Sequence, residues 1–458
     1  MLSKEPTASL DEQSKKPFGT LKAVLKTSFP AAVDLSSQTI TWLIEAIFIG
    51  QLSALALAGV GIAQQVLVLT FTILLTFVVG SSIIIVRYLG AKDQWHANHV
   101  FGQALFIGII FSLIIGLIWY FIIPFIFEFI KEEGDKARMY GVVYIKTVAF
   151  FSPFIITNFV ALGILRGVGN TMLTMTISLV VNGLNILLSP ILIFGLFSLP
   201  RLETFGAGLA VGIAHTTGFL ITLTVLRTRR CSLFLAISEI TSPKFKTVKR
   251  LFKMGVPTTI EQFVWASGQI VLSLFAARIN VTVLAAHQVM VRIQSVLSMV
   301  NWGFAVAGMS LVGRNIGGKD FKEAKKSGQL ISLVAVLNAG VIAMILYIFA
   351  EQSFSIFTDE PMVIKAGVAV FLAFAILQLP KAANTAYAGN LRGTADLNWL
   401  MWLAIGAVVI NELAGAYVLS FGFGLGLLGL WVIQIFDEGG RLVLNYWRFN
   451  RGKWKKIP

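Results

Sequence analysis

The chain has 458 residues, of which 56% are hydrophobic and only 13% are charged. This composition excludes a water-soluble globular protein of the same length, which would need more charge to cover its surface, and it indicates a helical integral membrane protein. The net charge of +15 does not predict a nucleic-acid partner, because the basic residues lie in short loops between apolar runs, where they set membrane topology.

In chain order, a polar N-terminal segment comes first, and it contains no apolar stretch of the kind that forms a cleaved signal peptide. Apolar runs then follow one another, each long enough to cross about 30 Å of hydrocarbon. We therefore predict an all-α integral membrane protein with twelve transmembrane helices. The predicted spans are residues 27–50, 54–83, 98–127, 139–163, 171–197, 206–227, 252–277, 282–312, 327–350, 362–389, 397–421 and 425–447.

Lysine and arginine are concentrated before the first span, in the loops after even-numbered spans, and in the C-terminal tail, whereas the other loops are nearly uncharged or mixed. The positive-inside rule then predicts a multi-pass protein of the plasma membrane (the inner membrane of a bacterium) with both termini in the cytoplasm. The predicted organisation is a cytoplasmic tail at 1–20, a six-helix bundle at 21–227, a cytoplasmic linker at 228–251, a second six-helix bundle at 252–447, and a cytoplasmic tail at 448–458.

The sequence repeats itself when it is shifted by 227 residues. The loop RYLGAKD at 87–93 then meets RNIGGKD at 314–320, and with a slip of one residue GILRG at 163–167 meets GNLRG at 389–393. Further matches are Pro30 with Pro257, Asp34 with Glu261, Pro153 with Pro380 and, with the slip, Asn185 with Asn411. Two six-span halves that start on the same side of the membrane are parallel repeats, which predicts two bundles around a central cavity.

This architecture favours a transporter that exposes its cavity alternately to each side of the membrane. An enzyme is not predicted, because the single Cys231 and the four histidines have no metal-ligand or catalytic spacing, so we expect no cofactor and no metal site. An ATP-driven pump is disfavoured because the chain has no GxxxxGK[ST] phosphate-binding loop. Prolines inside spans, namely Pro153, Pro190 and Pro380, predict kinks.

Several of these motifs occur together in one known family. They are the proline-led first and seventh spans, LAAHQV at 284–289, the paired RxxGxKD loops, the two LRG motifs, and VNGLNILLSPILIFG at 181–195. In their order and duplication, the chain resembles the multidrug and toxic compound extrusion (MATE) transporters along nearly its whole length after residue 20.

The resemblance implies a membrane protein, expected to be a monomer, that exports amphipathic and often cationic small molecules by proton or sodium antiport. The alternative is a lipid-linked oligosaccharide flippase of the same superfamily. Those flippases commonly have additional spans and a more strongly charged cavity, so twelve spans favour drug export.

The first span carries two carboxylates, Asp34 and Glu45, although an ionisable group in hydrocarbon is costly unless it has a partner, a cavity or a function. Eleven residues turn a helix by about 1100°, so the two acids share one face and lie about 16 Å apart. Gln38 and Trp42 fall on or near that face. The alternative to a functional stripe is a pair of carboxylates that are hydrogen-bonded to neighbouring helices and take no part in turnover.

The resemblance places Glu45 at the position of the family's first-span acid and Asn185 at that of an asparagine in the amino-terminal cation site. The family's next polar ligand is Ser189 here, which is a weaker ligand than asparagine or aspartate. Sodium prefers several oxygen ligands, whereas a proton needs one carboxyl group, so this site favours a proton over sodium without deciding between them.

Asp34 and Glu261 are repeat mates, each four residues after the proline that opens its half. We predict that both face the central cavity, where Asp34 handles substrate or protons. The predicted substrate-binding residues are Asp34, Gln38, Trp42, Glu261, Trp265 and Gln269. Carboxylates with aromatic rings suit an amphipathic organic cation through charge and cation–π attraction, and the alternative for these residues is helix packing.

The second half departs from the family pattern, because Lys381 stands in the tenth span where sodium-coupled relatives carry an aspartate. Arg292 in the eighth span and Lys381 are each predicted to face an acid, with Glu261 and Glu412 as the buried candidates. Glu261 and Lys381 lie at similar counted depth, which predicts an ion pair between them, either static or a switch. The acids and arginine at Asp437, Glu438 and Arg441 are predicted to form an interfacial i, i+4 pair.

Overall fold

The computed structural model describes residues 19–129, 135–229, 231–235, 239 and 244–456. Within these ranges the regular structure is helical, without a β-strand. The twelve helices that correspond to the predicted spans are α1 (Gly19–Leu52), α2 (Ala54–Gly90), α3 (Gln94–Ile126), α4 (Asp135–Phe150 with Ser152–Gly167), α5 (Thr171–Phe194), α6 (Glu203–Arg227), α7 (Phe245–Ile279), α8 (Val281–Gly317), α9 (Phe321–Ile348), α10 (Pro361–Gly393), α11 (Leu397–Gly422) and α12 (Leu427–Arg451).

Most of these helices are able to cross a membrane. Among the described residues, ten are long and apolar enough to do so, and the two parts of α4 together make an eleventh. The remaining helix, α12, falls at the predicted twelfth span but carries Asp437, Glu438 and Arg441 near its middle, so its composition alone does not mark it as a span. The prediction of an all-α integral membrane protein is confirmed.

The helix α4 is sharply broken. Its two parts meet at an angle of 66°, and Pro153 lies in the first turn of the second part, where a proline can start a helix but could not have continued the first one. The predicted kink at Pro153 is thus confirmed. Pro190 and Pro380 lie inside the continuous helices α5 and α10.

The two repeated loops have the same local structure. Asp93 caps α3 by accepting a hydrogen bond from the His96 backbone N–H, and Asp320 caps α9 by accepting one from Glu323. The lysine before each cap, Lys92 or Lys319, has a φ of 60°. A conformation that side chains rarely adopt is therefore found at both repeat-related positions.

The chain contains two compact units. Among the described residues, unit 1 consists of 33–88 and 93–255, and unit 2 consists of 19–32, 89–92 and 256–456. The boundary within α1 lies just after Pro30, and the boundary within α7 lies just before Pro257.

Unit 1 has an apolar core that includes Trp119, Phe127 and Tyr144, with exposed fractions of 1%, 0% and 1%. Tyr144 lies in the first part of α4. Its packing in this core holds the Tyr144 hydroxyl group among apolar side chains. Inside a membrane, rings packed in this way stabilise a helical bundle through van der Waals contact.

In unit 2, an edge-to-face contact between aromatic rings joins α10 to α12. The ring centroids of Phe371 and Phe374 lie 5.0 Å apart, and those of Phe374 and Trp431 lie 5.2 Å apart. On its other side α10 approaches α8 so closely that a Cβ at Gly389 would collide with the Ala305 backbone. These contacts fix the position of α10, which carries the buried lysine of the second half.

Candidate functional site

Glu45 is a buried carboxyl group in unit 1, with 3% of its surface exposed. The Tyr144 hydroxyl donates a hydrogen bond of 3.0 Å to its Oε1 atom. Among the described residues, no basic side chain lies within ion-pair distance of Glu45. A carboxyl group with a neutral partner is able to exist in either protonation state, because no fixed positive charge holds it ionised.

The predicted companions of Glu45 lie on α5. Asn185 and Ser189 are both buried, and the Ser189 hydroxyl donates to Asn185 Oδ1 at 3.2 Å. In the part of the chain that the structure describes, the side-chain hydrogen bonds of Glu45 and Asn185 go to different partners. The grouping of these three residues as one cation site therefore stays a prediction.

Asp34 forms an ion pair that the sequence analysis did not assign. Arg166, from the LRG motif at the end of α4, donates from Nε to Asp34 Oδ2 at 2.8 Å. Asp34 is 1% exposed and the Arg166 side chain 14%. Arg166 therefore does more than help to set the membrane topology, because it neutralises a buried acid.

Unit 2 contains the repeat-related pair. Arg392, from the second LRG motif, donates from Nη2 to Glu261 Oε1 at 2.7 Å, and its side chain is 4% exposed. The Arg392 guanidinium also lies 4.9 Å from the ring centroid of Trp302. Each unit thus joins the acid four residues after its proline to the arginine of its LRG motif.

The predicted ion pair between Glu261 and Lys381 is wrong. Lys381 and Arg392 are eleven residues apart on α10, so they share one face and are separated by about 16 Å along the axis. Glu261 meets the arginine at the end of that face. Counting residues from the helix ends gave only an approximate depth and could not distinguish between the two cations.

Lys381 belongs instead to a cluster with α12. Its Nζ atom lies 3.9 Å from Glu438 Oε1, and both side chains are 8% exposed. The Lys381 ammonium is also 5.8 Å from the Trp265 ring centroid, within the range of a cation–π contact. A further buried group, Asn384, donates to Glu438 Oε2 at 2.7 Å.

The α12 acids are not interfacial. Asp437 is 1% exposed and Glu438 is 6% exposed. The predicted i, i+4 pair does form between Asp437 and Arg441, and Arg441 lies 3.5 Å from Glu438 as well. The prediction of the pair is confirmed, whereas its placement at the interface is wrong, because these side chains turn into unit 2.

Glu412 on α11 lies next to this cluster. It is 2% exposed, and its Oε1 atom accepts a hydrogen bond of 2.8 Å from Gln269 Nε2. Arg292, by contrast, is exposed, and no acid among the described residues lies within ion-pair distance of it. The predicted acid partner for Arg292 is wrong, because an exposed guanidinium does not need one.

The remaining predicted substrate-binding residues are partly accessible. Trp42 is 39% exposed, and Gln38, Trp265 and Gln269 are half-buried. Gln269 is already engaged by Glu412. Their role towards a substrate stays a prediction.

Residues that the sequence analysis did not assign to a site are Tyr144, Arg166, Arg392 and Glu438. The two arginines could have been found from the repeat. An acid and an arginine are both retained at symmetry-related positions, Asp34 with Arg166 and Glu261 with Arg392, which is the pattern of a duplicated contact. Tyr144 has no such signal.

The pairing of Glu261 is testable by a double-mutant cycle. Glu261→Gln and Arg392→Gln are each expected to lower the free energy of unfolding by about 3–5 kcal/mol, because each leaves a buried charge without its partner. The double variant should lose at least about 1 kcal/mol less than the sum of the two. The measurement is SDS-induced unfolding of the purified protein.

The control cycle combines Glu261→Gln with Lys381→Met. We expect these two changes to be additive within about 0.5 kcal/mol, because the side chains are not paired. Coupling in the control cycle and additivity between Glu261 and Arg392 would contradict the observed pairing.

The family comparison matches both halves of the chain. The MatE family model matches residues 30–191 and again residues 257–418, which together are more than half of the chain. The chain belongs to the MatE family, the MATE transporters. The two matched stretches of this MATE transporter are offset by the same 227 residues at which the sequence repeats, so the internal repeat and the resemblance to the family are both confirmed.

Individual relatives agree with this assignment. A protein of Thermotoga maritima named "Probable multidrug resistance protein NorM" is 27% identical over 441 residues, which are 95% of this chain and 93% of the relative. The "Multidrug resistance protein NorM" of Aliivibrio fischeri is 26% identical over 423 residues, 88% of this chain and 91% of the relative.

Solved MATE structures have the same fold. A crystal structure of a MATE protein in the bent conformation superposes with a TM-score of 0.86 at 21% identity and covers 98% of both chains. An outward-facing multidrug resistance MATE family transporter of the MOP superfamily also gives a TM-score of 0.86, at 20% identity, over 99% of this chain and 100% of that one. The fold of this MATE transporter is therefore the two-repeat helical bundle of its family.

Proposed function

We propose that this MATE transporter exports amphipathic organic cations from the cell in exchange for protons, by exposing its binding residues alternately to the two sides of the membrane. Relatives that match over most of both chain lengths are named multidrug resistance proteins, which supports the class of substrate. The observation that carries the proposal is Glu45, a buried carboxyl group in a membrane span whose partner is a neutral hydroxyl group.

A proton is favoured over sodium at this site by the number of oxygen ligands. A hard metal cation is bound by several oxygen atoms, whereas a proton needs one carboxylate. Glu45 is hydrogen-bonded to one hydroxyl group, and the Asn185 amide oxygen accepts from Ser189 rather than lying in a shared hydrogen-bond network with Glu45. Protonation and deprotonation of Glu45 would then drive the exchange without a preformed metal cage.

The ion pair of Asp34 with Arg166 changes the role that we propose for that acid. A guanidinium at 2.8 Å stabilises the ionised carboxylate, so Asp34 is less suited than Glu45 to bind and release a proton in every cycle. We assign Asp34 and Glu261 to repeat-related structural pairs, and we assign substrate contact to the more accessible Gln38, Trp42 and Trp265. Aromatic rings attract organic cations through their π faces.

The flippase alternative is not favoured, since the relatives named above are multidrug resistance proteins and none of the site geometry points to a pyrophosphate-linked sugar. We further propose that the protein acts as a monomer in the plasma membrane with cytoplasmic termini, without a cofactor.

Transport by the purified protein tests the proposal. Proteoliposomes loaded with ethidium, as a fluorescent amphipathic cation, would receive either a pH gradient without sodium or a sodium gradient at constant pH. We expect ethidium movement against its concentration gradient with the pH gradient alone. Movement that requires the sodium gradient would overturn the choice of ion, and no movement under either gradient would overturn the proposed antiport.

A further inference from the structure

The helix α11 contains a π-helical segment that its repeat mate α5 lacks. α5 is α-helical throughout Thr171–Phe194, whereas α11 is π-helical over Ala407–Ala414. A π-helical turn accommodates one extra residue, and such turns are often found at functional sites. An extra residue in α11 agrees with the change from a shift of 226 at the LRG motifs to a shift of 227 at the ends of the matched family stretches.

The extra residue decides which side chain of α11 is buried. Asn185 in α5 is 5% exposed. Its identical match at a shift of 226, Asn411, is exposed, whereas Glu412, its match at a shift of 227, is 2% exposed. In unit 2, therefore, a carboxyl group occupies the position at which unit 1 has the buried asparagine. By burial, the counterpart of Asn185 in unit 2 is therefore Glu412 rather than Asn411, its match in the sequence.

On the first helix of each repeat the difference is reversed: here unit 1 has the buried acid and unit 2 has a neutral residue. The repeat mate of Glu45 is Leu272, which is fully buried and cannot carry charge. One turn earlier on α7, Gln269 donates to Glu412 Oε1. Unit 1 thus has its buried acid on the first helix of the repeat and an amide on the fifth, and unit 2 has the amide on the first and the acid on the fifth.

The second oxygen of Glu412 is buried without a hydrogen-bond partner among the described residues. This Oε2 atom points towards α7 at Gly268, where an added Cβ would lie 3.4 Å from it. The Val408 Cγ1 methyl group lies 2.7 Å from the same Cβ position, so this place beside the oxygen is lined by an apolar group. A buried ionised carboxylate with an unsatisfied oxygen is unfavourable, whereas a protonated carboxyl group needs less solvation.

Charge balance around Glu412 points to the same conclusion. The charged groups that interact with it are Lys381 from α10 and Asp437, Glu438 and Arg441 from α12. Two of the three acids can be balanced by the two cations, and the contacts assign those to Glu438 with Lys381 and Asp437 with Arg441. The acid left over is Glu412, whose hydrogen-bond partner Gln269 is neutral.

We propose that Glu412 is a second proton-binding group of the transport cycle, so that unit 2 carries one proton in addition to the proton carried by Glu45 in unit 1. The inference rests on the proposed function and extends it, because it sets the exchange at two protons for each organic cation. Two cations, Lys381 and Arg441, already occupy the cluster, and they disfavour a metal ion there. A proton is the cation that fits.

Proton release on substrate binding tests this proposal without transport. Ethidium would be added to the detergent-purified protein in a weakly buffered solution that contains a pH-indicator dye, and the released protons would be counted per bound ethidium. We expect about two for the wild type and about one for Glu412→Gln, since glutamine keeps the shape of the protonated side chain but has no proton to lose. Glu45→Gln should also release about one, and the exposed-residue control Glu360→Gln should release as many as the wild type.

The outcomes separate the two proposals. If Glu412→Gln releases as many protons as the wild type while Glu45→Gln releases fewer, the role of Glu412 is overturned and the proposed function stands. If the wild type releases no protons, both are overturned.

A second measurement covers the case in which Glu412→Gln binds ethidium poorly. Infrared difference spectra between acidic and alkaline pH, recorded without ethidium, should contain the C=O band of a protonated carboxyl group that is smaller in Glu412→Gln than in the wild type. Gln269→Leu should keep that band and move the pH at which it disappears, because the amide donor to Oε1 is lost. An unchanged band in Glu412→Gln would overturn the proposal.

Discussion

Glu45→Gln is expected to reduce pH-driven ethidium transport to the level of protein-free liposomes. Glutamine has the shape of the protonated glutamate and keeps a partner for the Tyr144 hydroxyl, so the protein should insert and fold normally. Without an ionisable group at this site, the transport cycle loses a proton that it must exchange. The measurement is ethidium movement in proteoliposomes under an imposed pH gradient.

Tyr144→Phe distinguishes the contribution of the Glu45 carboxyl group from that of its hydrogen bond with Tyr144. It removes the donor to Glu45 Oε1 and leaves the ring in the core. Because a neutral hydrogen bond contributes roughly 0.5–1.5 kcal/mol, we expect transport to decrease by no more than about tenfold rather than to disappear. Full transport by Glu45→Gln, with normal dependence on pH, would show that the carboxyl group is a packing residue.

Lys381→Met is expected to cause a large loss of stability. The change leaves Glu412, Asp437 and Glu438 buried with Arg441 as the remaining cation of the cluster among the described residues. Removing one partner of a buried ion pair costs about 3–5 kcal/mol, because the remaining charge is no longer compensated. Thermal unfolding of the purified protein in detergent should occur at a clearly lower temperature than for the wild type.

Two variants make this prediction specific. Lys365→Met, on the same helix but exposed, should leave the unfolding temperature nearly unchanged. Adding Glu438→Gln to Lys381→Met should restore part of the stability, since the unpaired carboxylate is removed as well. If Lys365→Met and Lys381→Met had equal effects, Lys381 would have no special role in the cluster.

Much of the fold could be predicted from sequence because the signals involved are long and repeated. Apolar runs give the helices, and a repeat that spans half the chain is detectable even where few residues are identical. The acids at Asp34 and Glu45 were also identifiable, since a carboxylate in an apolar span needs a reason. These predictions depend only on where a residue lies along its helix, and that position can be read from the sequence.

The contacts of the buried charges could not be obtained in the same way. A sequence gives the face and the depth of a residue on its own helix, but the partner depends on how helices are rotated and packed against each other. Helical counting therefore pairs Lys381 with the wrong acid, although the sequence correctly predicts that Lys381 is buried. The π-helical segment in α11 has no sequence signature here. Because of it, Glu412 rather than Asn411 is buried in the interior of unit 2.

The polarity of α12 has a consequence for how the chain is made. A translocon admits a helix to the bilayer according to its own apolarity, and each central aspartate or arginine opposes entry by roughly 2.5–3.5 kcal/mol. α12 carries Asp437, Glu438 and Arg441 near its middle, and it follows α10 in the chain. Asp437 and Arg441 pair within α12, whereas Glu438 also depends on Lys381 and Asn384 of α10, which precedes it in the chain. Insertion of α12 is therefore favoured once α10 is already in the membrane, so that insertion of α12 and its packing into unit 2 are one step.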